Sequence, residues 1–374
     1  MNSPHGETAN RLRAKTNDSR KASAIVARTR AKPVYFKRME TQRVAVLGAG
    51  SWGTALACLA AANGHAVTLW ARDAVLADQI NARGCNLKYL PDADLSGVRA
   101  RADLEGALEG ADWIISAVPC AGVPELAPLV GRLRPPAAVV VSGTKGLHPE
   151  SGARSAQLWG EGAQLQAEHY AALSGPNLAR EIAAGVPTSS VVASLDARTA
   201  ERAQELFNSR LFRVYTNTDL VGVELGGALK NVVAIAAGIC DGFEFGDNAK
   251  AALMTRHWRE MTRLAVACGA RETTLFGLSG VGDLFATCAS PHSRNHSLGE
   301  RLGRGETLDD ARLAVMQVVE GVHTARAALQ LAGEKGEELP VTRQLAAVLF
   351  EGQPAREAIA ALMGRQGKAE FESS

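Results

Sequence analysis

Lys230 is the one basic residue in a long apolar and glycine-rich run, Val221–Cys240. If the run is a helix, the ammonium rises from a face of small and apolar residues three and four positions away: Gly226, Gly227, Val233 and Ala234. Burial disfavours the charged form and can lower a lysine pKa by roughly 3–5 units when it is complete. Such a lysine can donate or accept a proton near neutral pH. The alternative is a side chain that runs along the helix and places its charge in water.

An acidic residue further along the chain could act with this lysine. Asp283 stands in the glycine-rich stretch Gly277–Leu284, where a carboxylate could reach an inward lysine, orient it and favour its charged form. The alternative interpretation is that Asp283 caps a helix beginning at the next residue.

Ser293, Arg294 and Asn295 directly precede a helical run. Hydroxyl, guanidinium, amide and helix N-terminal N–H groups at one point form a site for an anion. A plain capping segment is the alternative. His292 and His296 lie nearby, but two histidines with no acid or thiol at ligand spacing do not predict a metal site.

A glycine-rich turn near the start of the chain predicts a dinucleotide site. The apolar run Val44–Leu47 leads directly into Gly48-Ala-Gly50-Ser-Trp-Gly53 and a helix-like segment, and a second strand-like run, Ala66–Trp70, follows. Gly48 permits the tight turn, Gly50 lets a pyrophosphate approach the backbone, and Gly53 allows close packing of helix on strand. Strand, turn, helix and second strand together predict a βαβ unit that binds a dinucleotide.

Two further positions concern the same cofactor. Arg72 follows the second strand and favours the 2′-phosphate of NADPH, whereas Asp73 could instead bind the ribose of NADH or pair with Arg72. Lys145 lies between two glycines at the end of a strand-like run, where ligands of open α/β sheets bind. We therefore expect Lys145 to contact a phosphate or the nicotinamide.

A sheet and a set of helices must position these residues. Strand-like runs predict further strands of the same sheet at 113–118, 138–141, 170–174, 189–193 and 211–215. Beyond Asp219, Ala- and Leu-rich segments broken by glycine predict helices, with an Arg256–Glu260 pair on a solvated face. The predicted fold is α/β: a Rossmann-like doubly wound sheet over residues 39–218, then an all-α domain over 219–368 that carries substrate binding and catalysis.

The charge of the chain is unevenly distributed. Residues 1–38 contain ten Lys or Arg residues and two acids, a local charge of +8, so the remainder carries −6 within a total of +2. A mildly acidic body argues against nucleic acid as a partner. The basic leader lacks apolar periodicity and is expected to be disordered; it resembles a transit peptide in composition, or Met39 is the true start. Residues 369–374 are expected to form a tail.

Cysteine usage and hydropathy indicate a compartment. Six cysteines are scattered without a CxxC pair, which indicates reduced thiols rather than disulfides or zinc. No apolar run is expected to reach the roughly 20 residues of a membrane-spanning helix. We expect a cytoplasmic enzyme without a membrane span.

Five motifs, in this order, carry a resemblance to a known family: 48–57, 222–231, 280–283, 293–295 and 319–322. Together they are similar to those of bacterial-type NAD(P)-dependent glycerol-3-phosphate dehydrogenases, over residues 43–368. The resemblance implies reversible reduction of dihydroxyacetone phosphate to sn-glycerol 3-phosphate with NADPH or NADH, for phospholipid synthesis. A homodimer is expected by analogy with related folds.

The resemblance also implies residue roles. Lys230 would be the catalytic proton carrier, assisted by Asp283. Substrate contacts would fall on Lys145, Gly175, Asn177, Lys230, Asp283, Ser293, Arg294 and Asn295. Cofactor contacts would fall on Ser51, Trp52, Arg72, Lys145, Ala179, Arg294, Val318 and Glu320, beside the turn glycines Gly48, Gly50 and Gly53.

Two departures from the family pattern leave rivals open. Asn177 stands where Ser or Thr is usual, and His257-Trp258 replaces Gly-Leu. One rival is a hydroxy-acid or ketopantoate dehydrogenase of the same two-domain plan. The other is a nucleotide-binding regulator without chemistry, which would need neither Lys230 nor Asp283.

Overall fold

The computed structural model describes residues 40–315, 318–366 and 370. These residues divide into two compact units. Unit 1 comprises the described residues up to Val118 together with Gly122–Thr144 and Leu158–Leu220. Unit 2 comprises Pro119–Ala121, Lys145–Gln157 and the described residues from Val221 onward. The predicted leader 1–38 lies outside the described residues, as does the predicted tail apart from Glu370.

Unit 1 is built on one eight-stranded sheet. Most of its strands are short, apolar and buried, as expected where helices cover both faces. The strands are β1 Arg43–Leu47, β2 Ala66–Trp70, β3 Val98–Arg101, β4 Trp113–Ser116, β5 Val139–Ser142, β6 Tyr170–Ser174, β7 Thr188–Ala193 and β8 Phe212–Asn217.

The strand order is β3-β2-β1-β4-β5-β6-β7-β8. All neighbouring pairs are parallel except the antiparallel pair β6–β7. The order reverses between β1 and β4, and such a switch point is where open α/β sheets bind ligands. The predicted doubly wound sheet is therefore confirmed. The sequence did not predict β3, whose Val-Arg-Ala-Arg pattern is short and only half apolar.

Helices connect these strands. The helices that begin before Leu220 are α1 Ser51–Ala62, α2 Ala74–Arg83, α3 Leu104–Leu108, α4 Val123–Leu133, α5 Ser155–Ala163, α6 Ala179–Ala183 and α7 Ala197–Phe207. Two single-turn 3₁₀ helices occur at Cys120–Gly122 and Ala167–His169. The main core of unit 1 lies between sheet and helices, with Leu56, Leu69 and Trp113 fully buried.

From Leu220 onward the described residues form helices and no strand, which confirms the predicted all-α part. The helices are α8 Leu220–Gly242, α9 Gly246–Ala267, α10 Glu272–Leu275, α11 Asp283–Ala289, α12 Arg294–Gly303, α13 Leu308–Val315, α14 Glu320–Lys335, α15 Pro340–Phe350 and α16 Ala355–Met363. A kinked π-helical turn, Leu278–Gly282, precedes α11.

Helix α8 is the centre of unit 2. It contributes to two apolar clusters, one through Leu225 and Leu229 and the other through Val232 and Ile235. The expectation that no apolar segment reaches membrane-spanning length was wrong, because the 23-residue helix α8 contains an 18-residue segment with a mean hydropathy of 1.5. However, 89% of that segment is buried within the protein, as in the core helix of a globular protein.

The predicted Arg256–Glu260 pair was also wrong. Glu260 is buried, and its carboxylate accepts hydrogen bonds from the backbone N–H groups of Val341 and Thr342 at 2.8 and 3.2 Å. These are orphan N–H groups in the first turn of α15. Glu260 therefore caps a helix distant in sequence instead of pairing on its own helix.

Candidate active site

Lys230 lies in the middle of α8 and is 6% exposed. Its ammonium donates hydrogen bonds to Asp283 Oδ1 at 2.7 Å and to Thr287 Oγ1 at 2.5 Å. Asp283 and Thr287 are four residues apart on α11, so both face the same side of that helix. The lysine is thus buried and held by α11, and it does not extend its charge into water.

Asp283 holds two lysines at once. Its Oδ2 accepts a hydrogen bond from Lys145 Nζ at 2.7 Å, while its Oδ1 accepts the bond from Lys230. The alternative that Asp283 caps α11 is wrong: Asp283 is the first residue of the helix, and its carboxylate oxygens are taken by the two ammonium groups. One buried carboxylate therefore lies between two cations, so the cluster carries excess positive charge.

Burial and the neighbouring charges have opposing effects on the pKa of Lys230. Burial lowers the pKa of Lys230 to about 8. The Asp283 charge and hydrogen bond and the neighbouring Cys288 thiol favour the charged form, whereas Lys145 opposes it. A lysine with this pKa exchanges protons near neutral pH, as a general acid or base requires.

The anion-site residues lie at the N-terminus of α12. Ser293 is the N-cap, and its Oγ accepts a hydrogen bond from His296 N at 3.2 Å. Arg294 donates to the carbonyl oxygen of Val318 at 3.0 Å. The capping interpretation of Ser293 therefore holds for its side chain, which occupies the His296 N–H group, and Arg294 and Asn295 supply the other N–H groups of the first turn.

The Asn295 side chain is occupied within the protein. Its Nδ2 donates to Asn231 Oδ1 at 3.0 Å, and its Oδ1 accepts from Gly321 N at 2.9 Å. Each of these three residues directly follows a predicted site residue: Lys230, Arg294 or Glu320. The buried amide chain therefore links the helices α8, α12 and α14 at the positions that carry the site.

A glycine contact brings α12 onto α8. A Cβ atom on Gly299 would lie 2.0 Å from Ile235 O, and one on Gly238 would lie 2.1 Å from His296 O. Gly242 and Gly303 repeat this close approach one turn further on. Four glycines, two on each helix, thus let the backbones touch and fix the N-terminus of α12 relative to the helix that carries Lys230.

Glu320 begins α14 and is half-buried. Burial raises the pKa of Glu320 to about 7, although the charge of Arg294 and a hydrogen bond from the backbone of Cys120 lower it. Val318 is exposed, and its carbonyl oxygen accepts the Arg294 guanidinium. Arg294, Val318 and Glu320 therefore form a second group in unit 2, beside the group of Lys145, Lys230 and Asp283.

The glycine turn of unit 1 has the geometry of a dinucleotide site. Gly48 has φ +106°, and a Cβ atom on Gly53 would lie 1.8 Å from Gly48 O, whereas one on Gly50 would meet nothing within 4 Å. No side chain caps the N-terminus of α1. The open space at Gly50 and the uncapped helix end fit a pyrophosphate.

The side chains of Ser51 and Trp52 have partners within unit 1. Ser51 Oγ donates to Tyr89 O at 2.8 Å, and Trp52 Nε1 donates to Gly143 O at 3.0 Å. The Ser51 bond fixes the start of α1 against the segment between α2 and β3, and the Trp52 bond fixes it against the loop after β5. Contacts of Ser51 and Trp52 with a cofactor stay a prediction. The groups that could make them are the two backbone N–H groups and the face of the indole ring.

Arg72 and Asp73 follow β2 and have different surroundings. Asp73 caps α2, because its Oδ1 accepts from Val75 N at 3.0 Å and Leu76 N at 3.4 Å. Arg72 is exposed, and in the part of the chain that the structure describes it forms no ion pair with Asp73. The carboxylate is thus committed to the backbone, and the guanidinium is the group left for a ligand.

The remaining predicted contacts of unit 1 follow β6. Gly175 has φ +137°. Asn177 Nδ2 donates to Ser190 Oγ at 3.0 Å, and its Oδ1 is buried without a hydrogen-bond partner among the described residues. Ala179 begins α6 and packs against the apolar cluster of Ala55 on α1. An orphan amide oxygen at this position fits a ligand that donates a hydrogen bond.

In the structure, Asp283 contacts both Lys145 and Lys230 directly. No role was predicted from the sequence for the Thr287 hydroxyl, which completes this cluster. The signal was the spacing of four residues from Asp283. Asn231 was missed for a similar reason, although it directly follows Lys230. Among the described residues, no group of three or more His, Cys, Asp or Glu side chains could hold a metal ion.

Two family models match the chain. The N-terminal model of NAD-dependent glycerol-3-phosphate dehydrogenase matches residues 43–200, and the C-terminal model of the same family matches residues 219–360. The chain belongs to the NAD-dependent glycerol-3-phosphate dehydrogenase family. The suspected resemblance is thereby confirmed.

Individual relatives of this dehydrogenase family agree. Glycerol-3-phosphate dehydrogenase [NAD(P)+] of Moorella thermoacetica is 46% identical, covering 89% of this chain and 98% of the relative. The protein of the same name from Thioalkalivibrio sulfidiphilus is 47% identical, covering 89% and 100%. The crystal structure of glycerol-3-phosphate dehydrogenase from Coxiella burnetii has a TM-score of 0.83 and 37% identity, covering 87% of this chain and 99% of that one.

Proposed function

We propose that the protein reduces dihydroxyacetone phosphate reversibly to sn-glycerol 3-phosphate with NADPH or NADH, which supplies glycerol phosphate for phospholipid synthesis. Membership of the family supports the reaction. The observation that carries the proposal is the buried Lys230–Asp283–Lys145 cluster, because a lysine with a pKa of about 8 is the proton carrier that a carbonyl reduction needs.

Different residues of unit 2 would bind the phosphate of the substrate and transfer the proton. The N–H groups at the start of α12 and the Arg294 guanidinium bind the phosphate, and the carbonyl oxygen lies at Lys230. When bound, the nicotinamide cofactor supplies the hydride to C2. Protonated Lys230 donates its proton to the oxygen of that carbonyl as negative charge develops. In the oxidising direction neutral Lys230 accepts the proton from the hydroxyl.

Asp283, Thr287 and Lys145 prepare Lys230 for this step. Asp283 and Thr287 fix the ammonium in one position, which reduces the reorganisation needed at the moment of transfer. Lys145 neutralises part of the Asp283 charge and so keeps the Lys230 proton acidic enough to leave. We propose that Gly175 and Asn177 also contact the substrate. The Ser293 hydroxyl would donate a hydrogen bond to the phosphate.

We further propose that the cofactor lies at Gly48, Gly50, Ser51, Trp52 and Gly53. Ala179, Arg294, Val318 and Glu320 would complete its contacts. NADPH is favoured over NADH because Arg72 is exposed at the end of β2, while Asp73 is used as a helix cap.

The division into domains 39–218 and 219–368, a homodimer and a cytoplasmic location complete the proposal. The N-terminal family model ends at residue 200 and the C-terminal model begins at residue 219, and the cysteines among the described residues are free thiols, as expected in a reducing compartment. Limited proteolysis, light scattering and cell fractionation test these three points in turn.

Lys230→Ala tests the catalytic assignment. We expect the rate of dihydroxyacetone phosphate reduction to fall by about 10²–10⁴-fold, the usual contribution of a positioned acid, while NADPH binding, followed by its fluorescence, stays near the wild-type value. Lys250→Ala is the matched control, because Lys250 pairs with Asp241 outside the cluster. Turnover of Lys230→Ala at the rate of the control would contradict the proposal.

A further inference from the structure

The segment Lys145–Gln157 belongs to unit 2 and comprises a loop with two limbs, residues 145–154, and the first residues of α5. The limbs meet where His148 N donates to Ala153 O at 2.9 Å, and Gly152 N donates to His148 O at 3.0 Å. Lys145 lies at the start of the first limb. Leu147 anchors that limb in the apolar cluster that also contains Leu225 and Leu229 of α8. The position of Lys145 therefore depends on how this whole loop is held.

Glu224 of α8 holds the second limb. Its Oε2 accepts from Arg154 at 2.7 Å, and its Oε1 accepts from the backbone N–H of Ala156 at 2.8 Å. The Glu224 side chain is only 6% exposed and that of Arg154 is 19% exposed. Hydrogen bonds to a charged, largely buried carboxylate are among the strong ones in proteins, so this is a firm attachment.

Glu224 and Lys230 lie on one continuous helix, six residues or about 9 Å apart along its axis. The segment thus begins at the lysine that contacts Asp283, and its far end is held by the Glu224 carboxylate, about 1.7 turns before Lys230 on α8. Helix α8 connects Glu224 to Lys230, which sets the distance between the far end of the segment and the catalytic cluster.

We propose that Glu224 is a positioning residue, which acts through Arg154 and Ala156 to keep Lys145 on Asp283. It deepens the proposed function and rests on it. Glu224 itself would touch neither substrate nor cofactor. Its effect on the reaction passes entirely through Lys145.

The consequence is a defined change at Lys230. The ionisable groups that face its ammonium are Asp283, Lys145 and Cys288. Lys145 favours the neutral form of Lys230 and also occupies one oxygen of Asp283. If the loop becomes mobile and Lys145 moves away from Asp283, the Asp283 carboxylate pairs with Lys230 alone. The pKa of Lys230 must then rise.

Glu224→Gln tests this. The change keeps the shape and an acceptor for Ala156 but removes the charge that holds Arg154. We expect the alkaline limb of kcat/KM for dihydroxyacetone phosphate to move upward by about one pH unit, the size of a neighbouring-charge effect. Lys145→Met should shift the alkaline limb of the pH profile in the same direction. Glu224→Gln added to Lys145→Met should cause no further shift of the profile.

Glu260→Gln is the matched control, because Glu260 is also a buried carboxylate of unit 2 that caps a helix but contacts none of these residues. Glu260→Gln should lower the melting temperature without shifting the alkaline limb of the pH profile. If Glu224→Gln does not fold, Arg154→Met removes the same ion pair from its more exposed side.

Titration of the Lys230 ammonium by NMR, in protein labelled with [¹⁵N]lysine, reads the same pKa without substrate or cofactor. The inference is overturned if a folded Glu224→Gln or Arg154→Met protein keeps both the wild-type pH profile of kcat/KM and the wild-type pKa of Lys230. A wild-type protein that does not reduce dihydroxyacetone phosphate overturns the proposed function instead, and the NMR titration still decides the role of Glu224.

Discussion

Replacing Asp283 by Asn removes the only negative charge of the buried cluster while keeping its shape. Lys230 and Lys145 each lie 2.7 Å from a carboxylate oxygen of Asp283. In the variant, burial and the repulsion from Lys145 continue to lower the pKa of Lys230, and the opposing charge of Asp283 is lost. The pKa of Lys230 must therefore fall below its native value of about 8.

The size of the effect follows from that pKa. Loss of an opposite charge at contact distance lowers a pKa by about 1–3 units, which takes Lys230 to about 5–7. For a value near 6, the protonated fraction at pH 7.5 falls from about three-quarters to about one in thirty. The rate of reduction, which needs the protonated form, then falls about 25-fold at pH 7.5 and recovers in part below pH 6.

The assay is kcat/KM for dihydroxyacetone phosphate between pH 5.5 and 9.5, at saturating NADPH. Because kcat/KM reports the free enzyme, its alkaline limb should move from about pH 8 in the wild type to lower pH in Asp283→Asn. Thermal unfolding serves as a check, since breaking a buried ion pair costs about 3–5 kcal/mol. A folded variant whose limb stays in place or moves upward would refute the reasoning.

Three further predictions concern other parts of the chain. Burial lowers the pKa of His257 to about 3, so the unfolded chain binds a proton at His257 below pH 6.5 that the folded chain does not. The free energy of unfolding should then fall by about 2 kcal/mol between pH 8 and pH 5 through this group, and denaturant titrations of a folded His257→Gln variant should lack that part of the pH dependence. Gly321→Ala places a Cβ atom 2.5 Å from Asn295 Oδ1 and 2.6 Å from Asn231 O, so urea unfolding should show a loss of about 1–3 kcal/mol; unchanged stability would mean that the amide chain does not fix α14. Arg72→Gln should reduce the ratio of kcat/KM for NADPH over NADH by about 10–100-fold, the value of a charge-assisted hydrogen bond, and an unaltered ratio would move the 2′-phosphate contact elsewhere.

Local patterns in the sequence predicted the sheet and the order of its parts. The glycine turn 48–53 lies between β1 and α1 as expected, because its geometry depends on neighbouring residues alone. Lys230 could be singled out because a lone cation in an apolar helix is costly unless it is paired. β3 was missed, since its alternating arginines gave a weak apolar signal on an edge strand.

Most long-range partners could not be predicted. The pairing of Asp283 with Lys230, 53 residues away, was one of the two interpretations that the sequence left open, but nothing in the sequence indicated that Asp283 also binds Lys145, 138 residues away. Glu224 reaches partners 70 and 68 residues distant. Glu260 was assigned a helical neighbour because that partner was visible in the sequence, whereas its real partners lie 81 and 82 residues further on.

The most direct test of the account is the initial rate of NADPH and NADH oxidation by the purified full chain with dihydroxyacetone phosphate, and with ketopantoate in parallel. We expect rapid oxidation with dihydroxyacetone phosphate, faster with NADPH, and background rates with ketopantoate. Turnover of ketopantoate, or a folded protein that binds NADPH and leaves dihydroxyacetone phosphate unreduced, would contradict the account.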